Sequence, residues 1–175
     1  MRRGDCNRVL LEQVFPSVRY EDYRRALCLL DPYGLDLEWK VIAAAGRMRS
    51  IEMFLNFPVM DMNRNALWRA PEQVGQEARA RMTAFWGDES WRETAYRFEP
   101  TLFGDNQAFK EGNEAVVHAF ADRLKAVAGF HHVADPLPMR NSKNAVVYYL
   151  IFAAHQPVAL HIVKQIFDAY RNREA

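Results

Sequence analysis

The stretch Ala26-Leu27-Cys28-Leu29-Leu30-Asp31-Pro32-Tyr33-Gly34 decides how the rest of the chain is read. Five apolar residues end abruptly in an acid, a proline, an aromatic and a glycine, the pattern of a covered strand followed by a turn. Ligands of open α/β sheets bind beyond such strand ends, which makes Asp31, presented with Tyr33 in the turn, the first candidate site residue. The same chemistry also suits a purely structural turn in which Asp31 caps nearby backbone amides.

Working outward, Asp36 is predicted to cap a helix through Trp39, Val41, Ile42 and Ala45 that closes near Gly46 and Arg47. Ile51 to Phe57, bounded by Pro58, reads as a second strand, so strand, helix and strand form a right-handed unit with parallel strands. Asn56 and Pro58 then stand at a strand end beside Asp31 and complete a crevice. Upstream, Asp5 is predicted to cap a helix through Val9, Leu10 and Phe15 that stops near Pro16.

Beyond Pro58 the sequence predicts a helical insert over about 60–105: a loop or short helix, a helix over 76–86, and another capped by Asp88. Phe103-Gly104-Asp105 reads as a turn before a long helix over 106–128, with Phe109, Val116, Val117, Phe120, Leu124 and Val127 as its apolar stripe. Strands over 130–133 and 145–153 follow, with Asn141 to Asn144 turning between antiparallel neighbours, and Pro157 opens a last helix through Leu160, Val163 and Phe167. The predicted fold is one α/β domain over 1–175, a three-layer sandwich on a partial Rossmann-like sheet, mostly parallel with a C-terminal antiparallel strand.

Length and composition agree with a single globular core: 175 residues, half of them hydrophobic. Lys plus Arg at 23 against Asp plus Glu at 22 leaves a net charge of +1, too little to draw nucleic acid or anionic lipid without a local patch. Arg19, Arg24, Arg25, Arg47 and Arg49 are candidates for such a patch, but Glu21, Asp22 and Glu52 among them favour a mixed solvated surface. Arg140 beside Asn141 suits a phosphate or carboxylate. His155 ends an apolar strand and suits a base, yet has no evident partner in sequence, and a structural role is preferred. His131, His132 and His161 show no ligand spacing with it. The pairs Phe85-Trp86 and Tyr148-Tyr149 are read as core or insert packing.

Cys6 and Cys28 lie too far apart for a C-x-x-C pair and have no clustered histidines, so no metal is expected and Cys28 reads as core. The opening M-R-R-G-D-C-N has no signal-peptide core, and no apolar run approaches the roughly 20 residues of a membrane span, so a cytoplasmic protein without membrane contact is expected. No G-x-x-x-x-G-K-[ST] loop for nucleotide hydrolysis occurs.

L-L-D-P-Y-G-L-D-L-E-W at 29–39, I-E-M-F-L-N-F-P at 51–58, F-W-G-D-E-S-W-R-E at 85–93 and P-M-R-N-S-K-N-A-V-V-Y-Y-L-I-F-A-A-H at 138–155 jointly resemble the three-Cys-motif partner protein family. The element order also looks like the C-terminal half of a class I S-adenosylmethionine-dependent methyltransferase. In amino-group methyltransferases a related turn accepts hydrogen bonds from the target amine and stacks its aromatic on a flipped base. The resemblance therefore implies Asp31 and the Pro32 carbonyl as amine acceptors, Tyr33 as the stacking ring, and a nucleic-acid substrate. Here a single proline followed by Tyr-Gly departs from that pattern. Gly4-Asp5-Cys6-Asn7 resembles the family's G-D-x-N piece after the third strand, implying that the cofactor-binding strands and glycine-rich loop are missing, with an open sheet edge that a homodimer would cover. The resemblance further implies a partner, an iron–sulfur protein whose three cysteines are its own. The alternative reading is a non-catalytic interaction module that binds this partner.

Overall fold

The structure, a computed structural model, describes residues 4–100 and 106–174. In chain order it contains α1 (Cys6–Val9), β1 (Ala26–Leu30), α2 (Trp39–Met48), β2 (Ile51–Phe57), α3 (Val59–Asn65), α4 (Gln76–Trp86), α5 (Trp91–Ala95) and β3 (Tyr96–Pro100). Then follow β4 (Asn106–Lys110), α6 (Asn113–Ala126), β5 (His132–Val133), β6 (Leu137–Arg140), β7 (Val146–Ala154) and α7 (Pro157–Glu174). The result is a mixed α/β fold.

β1 and β2 pair in parallel, and β7 runs antiparallel to β2, β5 and β6. Ala153 pairs with both Met53 and Val133, so β2 and β5 must lie on opposite sides of β7. Four strands of this sheet thus point one way and β7 alone points the other. The reversal is local chemistry: Asn141 Oδ1 accepts from the Lys143 and Ala145 amides at 2.9 and 3.1 Å, closing the turn from β6 into β7. β5 and β6 form one interrupted edge, broken at Asp135-Pro136. Prolines are tolerated there because an edge strand has donors to spare.

Alternation along β2 divides the molecule into layers. Ile51, Met53, Leu55 and Phe57 are fully buried, while Glu52, Phe54 and Asn56 are half-buried on the other face. The first face meets α2, α4 and α6 in the main core, where the Phe120 ring touches Trp39, Phe57, Phe85 and Trp86. Across the sheet, Val163 and Phe167 of α7 pack with Phe152 and Phe54. α7 leaves the outer face of β1 largely uncovered, and Leu27 and Leu29 remain 55% and 72% exposed.

Three local expectations are corrected. The long helix predicted over 106–128 begins at Asn113, because Asn106–Lys110 pairs with Tyr96–Pro100 as a hairpin. Lys110 Nζ reaches the Asn63 side chain and the Leu67 carbonyl, which ties this strand to α3. The insert is therefore helices plus a hairpin. Phe109 and Val127 are exposed rather than on the buried stripe, and Phe103-Gly104-Asp105 lies outside the described residues. Asp36 does not cap α2, since Glu38 holds that position and Asp36 pairs with Arg81 at 2.8 Å. Asn7 supplies what Asp36 does not: its side chain accepts from the Glu38 amide and donates to the Asp36 carbonyl, each at 2.9 Å. The predicted cap at Asp5 is present, accepting from the Arg8 amide at 2.9 Å. Among the described residues no helix is long and apolar enough to cross a membrane.

Candidate functional site

Parallel pairing of β1 with β2 in the register Leu30↔Leu55 brings Asp31, just after β1, beside Asn56 near the end of β2. Asn56 Nδ2 donates to Asp31 Oδ1 at 2.6 Å. These two, with Pro32, Pro58, Asp61, Arg64 and Tyr148, line a crevice of about 360 Å³. Asp31, Pro32, Asn56 and Pro58 are thus assembled as the sequence led one to expect.

Tyr33 is not part of it: the side chain is 91% exposed beyond the turn. The cause is Gly34, at φ +61°, packed so closely on α3 that a Cβ there would fall 2.5 Å from Asp61 Oδ2. This turn directs Tyr33 outward while Asp61 fills the inner side. Arg140 and Asn141 do not line the crevice either. Arg140 donates to the Asn144 carbonyl at 3.0 Å and Asn141 closes the β6–β7 turn, so both serve the hairpin.

Asp61, Arg64 and Tyr148 are the members that sequence reading did not assign to a site. Asp61 Oδ1 accepts from Asn65 at 2.8 Å, whereas Oδ2 is buried without a hydrogen-bond partner among the described residues. Such an oxygen is costly unless a donor satisfies it. Tyr148 alternates with the buried Tyr149 on β7 and so lines the crevice instead of packing in the core. The arrangement offers carboxylate and amide acceptors around a phenol ring, with Arg64 as the cation, and suits a planar group bearing an amine.

A second cavity, of about 350 Å³, meets the first at Asp31 and Pro32. It runs beneath α1 along the free edge of β1, lined by Val9, Leu10, Leu30 and Leu37 with both cysteines. Burial pushes the Cys28 thiol up to about 11, so it is a neutral thiol at physiological pH. Among the described residues no group of three His, Cys, Asp or Glu side chains is placed to hold a metal ion.

The arginines divide differently from their order in sequence. Arg25 and Arg49 lie at the N-terminal ends of the strands, beside His155, and so at the far end of the sheet from Asp31. Comparison of the chain with family models, with curated proteins and with solved structures gives no match.

Proposed function

We propose that the Asp31–Asn56–Asp61 crevice binds a planar, amine-bearing group of the kind carried by nucleobases, as the substrate side of a methyltransferase-like domain related to the three-Cys-motif partner proteins. The observation that carries this reading is the Asp31–Asn56 pair at 2.6 Å beside the unpartnered Asp61 Oδ2. Amine acceptors converge at the strand ends of a sheet in which β7 alone is reversed.

S-adenosylmethionine fits these residues poorly. The apolar cavity beneath α1 has room for a ring, but its lining has one carboxylate, Asp31, and no cation for the cofactor's own carboxylate. The turn between β1 and α2 has a single glycine, Gly34, already pressed on Asp61. No transfer step is assigned to the described residues, and this chain's part is recognition of the acceptor group.

Titration with a single-stranded oligodeoxynucleotide, followed by side-chain amide NMR, tests the reading. The Asn56 amide and the Tyr148 ring are expected to shift together. Asp31→Ala should abolish those shifts while leaving thermal stability within about 0.5 kcal/mol, because Asp31 is exposed. Unchanged shifts in that variant would reject the site, and unfolding would make Asp31 a structural cap.

A second reading, docking of a protein on the open edge of β1, is favoured by Leu27 and Leu29, exposed beside backbone groups that among the described residues have no strand neighbour on that side. The occupant would be a second copy, or the iron–sulfur partner that the family resemblance implies. Sedimentation of the chain alone separates the two: a dimer that Leu29→Lys converts to monomer supports self-pairing, whereas a monomer at every concentration excludes it.

A further inference from the structure

At the opposite end of the sheet from Asp31, a cavity of about 110 Å³ is lined by Tyr20, Arg49, His131, His155 and Gln156. Through Arg49, His155 and Gln156 it continues into a cavity of about 440 Å³ walled by Leu27, Val158 and Ile162. We propose that the small cavity binds the oxyanion head, phosphate or carboxylate, of a ligand whose apolar body lies in the larger one along α7.

His155 carries the argument. It is only 5% exposed, and among the described residues neither ring nitrogen has a hydrogen-bond partner. The ring is fixed, stacked on Phe130 at 5.2 Å and meeting the His131 ring edge-on at 5.2 Å. The Ala45 carbonyl is near enough to favour the imidazolium without completing a hydrogen bond. A buried donor held this firmly and left unsatisfied costs stability unless an acceptor enters the cavity beside it.

The surroundings select an anion. Among the described residues Arg49 has no carboxylate at ion-pair distance, and it sits at the C-terminal end of α2 with φ +58°, a conformation that only glycine adopts without strain. α7 begins at Pro157 on the cavity's rim, where the Val158 and Ala159 amides have no intrahelical acceptor and the helix end is positive.

The small cavity's lining contains no acid. Tyr20 lies beneath the Arg25 guanidinium at 4.1 Å. The larger cavity contains Glu52, whose carboxyl is pushed up by burial. Burial first, then His131, Arg49 and His132, hold the His155 imidazole below its ordinary value. A bound anion would oppose that repulsion, so binding should strengthen as pH falls from about 8 to 6.

The test is calorimetry on the full chain with inorganic phosphate, octyl phosphate and octanoate, alongside NMR of the histidine rings. Octyl phosphate is expected to bind about tenfold or more tightly than inorganic phosphate and to shift the His155 ring. Octanoate binding as tightly as octyl phosphate would make the head a carboxylate, and a clear preference for octyl phosphate would make it a phosphoryl group; both outcomes support the site. Arg49→Gly removes the strained arginine, so its Tm should hold or rise while affinity falls about tenfold. The proposal is overturned if no probe moves the His155 ring, if octyl phosphate gains nothing over phosphate, or if Arg49→Gly binds as well as the parent. None of these outcomes depends on the Asp31 crevice.

Discussion

Phe120→Ala is expected to destabilise the protein by about 3–5 kcal/mol, the cost of deleting a fully buried ring whose cavity cannot collapse. Collapse is prevented by the neighbours. The Phe120 ring lies 4.9 Å from Phe57 on β2, 5.4 Å from Phe85 and 5.3 Å from Trp86 on α4, and 5.7 Å from Trp39 on α2. Those rings are held by three elements, β2, α4 and α2, so none can move into the space without dragging its element with it. Against a typical total stability of about 5–15 kcal/mol, the loss would bring the protein close to unfolding at ambient temperature. Urea denaturation should show a lower midpoint at unchanged slope, and Phe109→Ala on the exposed hairpin should move it little. A loss below about 1 kcal/mol for Phe120→Ala would mean that the three elements are not packed around one ring.

The Phe120 cluster also shows what sequence could and could not convey. Its position on a helix stripe was readable, because Val116, Val117, Phe120 and Leu124 recur at helical spacing over one continuous segment. α2 and α7 were readable for the same reason, and β1 and β2 as short apolar runs bounded by turn residues. β3 and β4 were not, since N-Q-A-F-K has no strand alternation of its own and is extended only by pairing with Tyr96–Pro100.

The candidate site divides along the same line. Asp31 and Asn56 could be brought together from sequence because both stand at the C-terminal ends of strands of one βαβ unit, whose pairing fixes their neighbourhood. Asp61, Arg64 and Tyr148 could not, because α3 folds back over the strand ends and β7 inserts beside β2 only in three dimensions. Arg140 and Asn141 were drawn toward the site by their chemistry, which the β6–β7 turn uses instead.

Gly46→Ala reverses an ordinary rule. Alanine in place of glycine inside a helix normally adds up to about 1 kcal/mol of stability, and Gly46 lies within α2. Here a Cβ would fall 2.1 Å from the Ala128 carbonyl oxygen and 2.8 Å from its carbon, so the new atom meets backbone rather than a movable side chain. That backbone is pinned: the Ala128 amide donates to the Arg123 carbonyl at 3.2 Å, the Phe130 amide to Leu124 at 3.1 Å, and Gly129 between them turns at φ +91°. Relief requires α2 to part from the segment after α6, at an expected cost of about 3 kcal/mol. The same segment carries Phe130 and His131, which frame His155, so the parting should also release the Phe130–His155 stack. Thermal denaturation and the histidine ring resonances should therefore change together, with a lower Tm and a His155 signal moved toward that of an exposed imidazole. A higher Tm for Gly46→Ala would show that α2 stands further from Ala128 than this close approach requires.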